Sequence, residues 1–494
     1  MIGRTPVQWA GLASGALAFL AILLLDTPLQ SFGEHGARPA RAAAVVACMA
    51  IWWLTEALPI HWTALLPLIA FPLLRVFGPG LAANARASAA PYVDPYIFLF
   101  AGGMAIGAAM QQHDLHRRIA LRIMCAIGAD PRRLLAGVLA ATACVSMWIS
   151  NTATAAMMFP IGMALIAQLE AHVGRRLGWY GMAVMLAIAY GSNVGGIGSK
   201  IGTAPNTQFA GFVERLGIEV SFLDFLAVGL PFVLLFLPVV WLALWRVARR
   251  EGLEGDLGSA LLRRELAALG AVRRPERVVM GVFAAAAALW IAGKPLTDLV
   301  AAGWPEVRSA HVEGGIAVLA ALALLLWRVS GAGGAGGGPV LRLASLRTVP
   351  WETLLLLGGG FAMAAGVQGS GLSSWAAGQL AGIRGLPVPA QLLAATGATV
   401  ALSAVASNTA TIAIMLVVLN DAVAAPLAPT MLFAATVAAS CDFALPAGTP
   451  PNAIVFGSGY VTIPRMARTG VVLDLLAAIL AALWCGLAVP LVLG

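Results

Sequence analysis

Charge is scarce in this sequence. Asp, Glu, Lys and Arg make up 11% of its 494 residues, against about 25% in soluble domains. With 60% hydrophobic residues and a mean hydropathy of +0.89, that scarcity excludes a soluble globular enzyme and a disordered scaffold. Cysteine is also scarce. Cys48, Cys125, Cys144, Cys441 and Cys485 are odd in number, far apart and in or beside apolar runs, so neither a disulfide framework nor a metal-ligand spacing exists. Of six histidines only His113 and His116 fall within one helical turn, with no further ligand nearby in sequence. No metal cofactor is expected. There is no Walker lysine motif to suggest ATP use, and no motif sets a serine nucleophile beside a histidine. Alternating strands of about ten residues are missing, which excludes an outer-membrane barrel. The formal net charge is +8, but the basic residues are spread between apolar runs. They read as topology signals rather than as a nucleic-acid surface.

What is present is a series of apolar runs near the length that crosses a membrane, about 20 helical residues for about 30 Å of hydrocarbon. The first, residues 7–25, is too long for a signal-peptide core and is read as an uncleaved span. Several later runs are too short to cross, and four of them come in two pairs: 134–149 with 153–168, and 390–406 with 410–425. Each pair is broken at Ser-Asn-Thr-Ala-Thr, at 150–154 and 407–411. Short apolar pairs with a polar break predict re-entrant hairpins, because non-helical backbone at membrane depth survives only where it lines a cavity or is buried in protein.

The pentapeptide belongs to a larger internal repeat. At the same offset of 257, Ser146 matches Ser403, Gly102-Gly103 matches Gly359-Gly360, Gln111 matches Gln368 and Leu115 matches Leu372. A second motif, Gly202-Thr203-Ala204-Pro205-Asn206, returns as Gly448-Thr449-Pro450-Pro451-Asn452 at an offset of 246. Two halves interrupted at matching places are the best sequence pointer to the binding site of a secondary transporter. The expected fold is an all-α polytopic membrane protein of about eleven transmembrane helices and two re-entrant hairpins. Its expected organisation is a first span and linker over 1–41, a first inverted repeat over 42–245 (hairpin 134–168), a basic cytoplasmic connector over 246–277 with an amphipathic helix, and a second repeat over 278–494 (hairpin 390–425). The glycine-rich stretch 330–338 reads as a flexible loop. With the N-terminus in the cytoplasm, 21 of the 30 basic residues fall inside, 8 fall outside, and Lys200 is left within the membrane, as the positive-inside rule requires.

The motifs carry their own chemistry. Asn supplies a carbonyl acceptor and two N–H donors, and Ser and Thr hydroxyls donate or accept. Where a helix breaks, the new N-terminus offers backbone N–H groups to an anion and the preceding C-terminus offers carbonyls to a cation. Two such tips meeting at mid-membrane could hold both negative groups of one substrate. No arginine lies in the motifs, so neutral donors and bound cations would balance the anion, which couples cation to substrate. The Gly-Thr-x-Pro-Asn motifs predict an unwound stretch in each half facing its tip. Ionisable residues in the apolar zone are functional by default. Lys200 and Asp442 sit in the two unwound stretches and are the coupling candidates, either paired with each other or acting on the cation, with Lys200 standing in for one.

Trp52-Trp53-Leu54-Thr55-Glu56-Ala57-Leu58-Pro59, Thr63-Ala64-Leu65-Leu66-Pro67, Leu115-His116-Arg117-Arg118, the two Ser-Asn-Thr motifs and Thr449-Pro450-Pro451-Asn452-Ala453-Ile454-Val455-Phe456 together resemble the divalent anion/sodium symporter family, which carries dicarboxylates, citrate or sulfate. The resemblance covers most of the chain. It implies a homodimer with a scaffold and a transport domain that moves as an elevator. It implies one sodium site at Ser146, Ser150 and Asn151 with backbone around Gly198 and Ser199, and a second at Ser403 and Asn408 with backbone near Ala406 and Gly448. Substrate carboxylates would meet Ser150, Asn151, Thr152, Ser407, Asn408 and Thr409, with Thr203, Thr449 and Pro450 nearby. Lys200 stands where that family has an apolar residue, and Asp442 where it has a small neutral one.

The leading expectation is secondary active transport of small dicarboxylates, of the succinate, malate or fumarate type, with sodium as the coupling ion and no other cofactor. The expected location is a bacterial-type inner membrane, read from the lack of an organelle-targeting segment. The alternatives are a sodium-independent dicarboxylate exchanger, and a channel or transporter for sulfate or another inorganic oxyanion. An intramembrane enzyme is disfavoured for want of a nucleophile with a base or metal set.

Overall fold

The computed structural model describes residues 5–25, 28–255, 258–329, 338–379 and 385–493. Most of the expected glycine-rich loop (330–337), and Arg4 and Arg384 from the charge count, lie outside the described residues. The chain is helical almost throughout, with one two-residue antiparallel ladder between Arg328–Val329 and Gly338–Pro339.

The first half runs α1 (Pro6–Leu24), α2 (Arg38–Leu54), α3 (Ile60–Thr63), α4 (Leu66–Leu74), α5 (Leu81–Ala89), α6 (Pro95–Gln112), α7 (Leu115–Ile127), α8 (Pro131–Ser146), α9 (Asn151–Val173), α10 (Gly178–Gly196), α11 (Ala204–Arg215) and α12 (Phe222–Ala248). The connector holds α13 (Ser259–Ala268). The second half runs α14 (Arg274–Ile291), α15 (Gly293–Ala301), α16 (Ser309–Leu326), α17 (Trp351–Ser370), α18 (Leu372–Gln379), α19 (Val388–Ser403), α20 (Asn408–Ala422), α21 (Ala428–Ala439), α22 (Pro450–Phe456) and α23 (Ile463–Leu493).

Among the described residues, seven helices are long and apolar enough to cross a membrane by themselves, and the α14–α15 pair, bent by 67°, makes an eighth. These seven or eight are the unbroken spans; the expected total of about eleven also counts segments that are broken or shorter than 18 residues. The remaining apolar length is divided where polar or proline-rich sequence breaks it. The run 61–74 splits because its residues Ala64-Leu65 close α3 before Pro67 opens α4. The run 429–445 stops being helical at Ala439. The expected connector helix is confined to the ten residues of α13.

Helix starts follow their caps. Asp130 accepts from Arg133 N to open α8 before Pro131, so the helix begins ahead of the apolar run at 134. Ser221 and Asp224 form a reciprocal capping box on α12. Glycines recurring in the repeat set interhelical distance. A Cβ on Gly102 would run into the Ala317 backbone of α16, and one on its repeat mate Gly359 into the Ala64 carbonyl after α3. Each position thus lets a backbone approach that any larger side chain would prevent. A continuous apolar core runs through α6, α8–α12, α16, α17 and α21–α23. The outward faces of α1, α12 and α23 carry exposed leucines and valines, as a lipid-facing surface does.

Candidate functional site

The site is built from four helix breaks. α8 ends at Ser146 and α9 starts after the cap Ser150, whose hydroxyl accepts from Ala153 N at 3.4 Å. α19 ends at Ser403 and α20 starts after Ser407, which accepts from Ala410 N at 3.2 Å. α10 stops at Gly196 and α11 resumes at Ala204. α21 stops at Ala439 and α22 resumes at Pro450, capped by Thr449 accepting from Asn452 N. The Ser-Asn-Thr and Gly-Thr-x-Pro-Asn motifs thus each mark a real break.

The same bonds hold both halves. Asn206 Nδ2 donates to the carbonyls of Gly196 (2.9 Å) and Ser199 (2.7 Å), ten and seven residues before it. Asn452 Nδ2 donates to those of Asp442 (3.1 Å) and Leu445 (3.0 Å), at the same two spacings. The last residue of each motif is therefore a clasp for the unwound loop. Asn193 Nδ2 ties the halves together by donating to Thr449 Oγ1 and the Asp442 carbonyl.

A cavity of about 670 Å³ opens between the halves. Ser150, Asn151 and Thr152 line it from one tip and Ser407, Asn408 and Thr409 from the other, with Gly202-Thr203-Ala204 and Gly448-Thr449-Pro450-Pro451 between them. All of the expected substrate-binding residues are brought together here. They are the starts of α9, α11, α20 and α22, so four helix N-termini ring one space. That arrangement favours an anion. Among the described residues, no lysine or arginine lines the cavity.

The residues expected to hold sodium form a second layer. Ser146 and Ser403 are completely buried. Ser146 Oγ lies 2.9 Å from Asn151 Oδ1 and 2.7 Å from the Ser192 carbonyl. Ser403 Oγ lies 2.9 Å from Asn408 Oδ1 and 2.7 Å from the Ala439 carbonyl. Each hydroxyl has one hydrogen for two acceptor oxygens, beside the carbonyl end of a broken helix, and so each is an oxygen set suited to a hard cation. Gly448 lines the cavity, whereas Gly198, Ser199 and Ala406 do not. Ser199 donates to the Met147 carbonyl, and Gly198 and Ala406 continue the turns after α10 and α19.

The two coupling candidates are not partners. Lys200 Nζ bonds Glu313 Oε2 at 2.7 Å and the Val220 carbonyl, and lies 5.3 Å above the Tyr96 ring. Glu313 Oε1 accepts from Phe222 N at 2.6 Å, at the N-terminus of α12. Both members of this ion pair are wholly buried. Lys200 therefore points away from the cavity, toward α16 and α12. Asp442 is also wholly buried, and neither carboxylate oxygen has a hydrogen-bond partner.

Several lining residues escaped the sequence reading of the site. Gln111 was visible only as a repeat match, and His116 only as part of a motif and as a neighbour of His113, not as a site residue. His116 Nδ1 meets the Met110 carbonyl at 2.9 Å, which places a proton on Nδ1. Burial holds the imidazole below its ordinary pKa, partly offset by that carbonyl, so Nε2 is an acceptor. Glu352 and Asn193, which also line the cavity, had no signal, and neither did Glu313, the partner of Lys200.

Residues 7–492 match the family model described as the sodium:sulfate symporter transmembrane region. The chain is also similar to the sodium-dependent dicarboxylate transporter SdcS of Staphylococcus aureus, in strains USA300 and bovine RF122 / ET3-1. It is 35% identical to each over 496 residues, covering 99% of this chain and 92% of theirs.

Proposed function

The chain belongs to the sodium:sulfate symporter family, and from that premise we propose that it carries small dicarboxylates of the succinate, malate or fumarate type across the cytoplasmic membrane, coupled to sodium. It is a multi-pass membrane transporter and not an enzyme. The observation that carries the proposal is the convergence of two duplicated Ser-Asn-Thr tips on one cavity without lysine or arginine. A two-ended anion offers one carboxylate to each tip. The Ser146 and Ser403 oxygen sets hold the cations that offset its charge. The name of the 35% identical relatives supports both the dicarboxylate and the sodium.

In this account the cavity opens to the cytoplasm. Its lining includes the exposed Thr348, Pro350 and Glu352, beside loops that the basic-residue count puts inside. The first inverted repeat (42–245) and the second (278–494) contribute one tip and one unwound loop each. Helices α8–α10, α12, α19 and α21–α23 pack among themselves, as do α6, α14 and α16, with α17 seated between α2 and α20. That division supports an elevator in which the first group moves against the second, within a homodimer.

The substrate class is tested by uptake of radiolabelled succinate into proteoliposomes under an inward sodium gradient, with unlabelled malate, fumarate or sulfate as competitors. Dicarboxylates suppress the uptake and sulfate leaves it unchanged. Uptake of labelled sulfate in place of succinate would overturn the dicarboxylate reading and favour the inorganic oxyanion one.

A further inference from the structure

Among the described residues, four charged side chains are completely buried: Lys200, Glu276, Glu313 and Asp442. The first three are paired, Lys200 with Glu313, and Glu276 with Arg118 and Arg273. Asp442 is the exception. Neither of its oxygens has a hydrogen-bond partner, and no basic side chain lies within ion-pair distance among the described residues. Asp474, the nearest acid, adds no compensation: its Oδ1 accepts from Phe443 N at 2.9 Å. A buried carboxylate without a counter-charge or a donor is strongly unfavourable as an anion, so it either keeps a proton or holds a cation against it.

The position of the carboxylate is specific. The Asp442 backbone is pinned from two sides, its carbonyl accepting from Asn193 and from Asn452. Its side chain lies on the Cα face of Gly448, where an added Cβ would collide with Asp442 Oδ2. Gly448 itself lines the cavity next to Thr449. The repeat gives the direction independently. Asn452 clasps the Asp442 carbonyl as Asn206 clasps that of Gly196, so Asp442 occupies in the second half the place of Gly196 in the first. A Cβ on Gly196 would run into Oδ1 of the tip residue Asn151. A side chain at this place is therefore directed at the tip, which in the second half is Asn408 with Ser403 behind it.

We propose that Asp442 is an anionic ligand of an alkali cation held at the second tip, with Ser403, Asn408 and the Ala439 carbonyl, so that the two tips are chemically unequal. The inference rests on the reading of that tip as a cation site. The first tip offers neutral oxygens alone, and the second adds a full negative charge. Added ligand charge raises affinity for a hard cation, so the second tip binds sodium more tightly than the first.

The test is equilibrium binding of ²²Na⁺ to the purified full-length protein without substrate. It compares the wild type with Asp442→Asn, Asp442→Gly (the first-half residue at this place) and Ser403→Ala. Wild type shows a tight and a weak component. Both Asp442 variants lose the tight component, its affinity falling by at least about tenfold, while their thermal unfolding in detergent stays cooperative. The two Asp442 variants differ in size and polarity, so a fold-specific failure of one leaves the other to decide. Sodium binding unchanged in the Asp442 variants but weakened in Ser403→Ala would overturn the role of Asp442 and leave the second tip standing. Binding unchanged in all three would overturn the cation-site reading of the tip as well.

Discussion

Asn151 and Asn408 each face both layers of the site. Their amides line the cavity, and their Oδ1 atoms lie 2.9 Å from the buried hydroxyls of Ser146 and Ser403. Replacing either by Ala removes a donor to a charged carboxylate, a bond of about 1.5–3 kcal/mol. The apparent KM for succinate then rises about 10- to 100-fold in proteoliposome uptake, with the protein still folded by gel filtration. An unchanged KM in both variants would remove the tips from substrate binding. Lys200 behaves differently. Glu313→Gln leaves a buried ammonium without its counter-charge, a loss of about 3–5 kcal/mol, and lowers the midpoint of thermal unfolding. Lys200→Met combined with Glu313→Leu restores much of it, because the pair is replaced by apolar groups of similar size. A double variant no more stable than the single one would contradict this account. The sequence pointed to Lys200 and Asp442 as the anomalous charges, but not to Lys200's partner. Glu313 is 113 residues away on a helix outside the repeated motifs, and only packing brings α16 against the start of α12.

At the scale of elements, the working parts are the breaks rather than the helices. The clasps Asn206 and Asn452 hold the two unwound loops through carbonyls at matched spacing. Asn452→Ala leaves the Asp442 and Leu445 carbonyls without that donor inside the protein, a loss of about 1–3 kcal/mol for each left unsatisfied. Hydrogen exchange at residues 440–449 accelerates while α10 stays protected, and equal protection across the loop would exclude the clasp. The breaks were legible because Ser-Asn-Thr and Gly-Thr-x-Pro-Asn are capping and helix-stopping sequences in their own right. The ends of the helices were less so. Hydropathy discards the polar first turn of α8, where Asp130 and Pro131 start the helix ahead of two arginines. It also runs on past Ala439, because Cys441, Phe443 and Ala444 are apolar whether or not their backbone is helical.

Across the whole molecule, the proposed orientation turns the part of the cavity lined by Thr348 and Glu352 toward the cytoplasm. In a background with the five cysteines replaced by alanine, Glu352→Cys reacts with a membrane-impermeant maleimide in inside-out vesicles and not in right-side-out ones. Succinate with sodium slows the reaction. Labelling from the outer face would reverse the topology. The number of spans was the least legible property, since a run of apolar residues has the same composition whether it crosses the bilayer, turns back at a tip or unwinds at a proline.

In the proposed mechanism the anion moves because sodium at the broken helices offsets its charge. Uptake of radiolabelled succinate into proteoliposomes is measured with an inward sodium gradient, without sodium, and without sodium but with unlabelled succinate preloaded. The account predicts accumulation above equilibrium in the first condition alone. Uptake confined to preloaded vesicles and indifferent to sodium would contradict it and identify an exchanger.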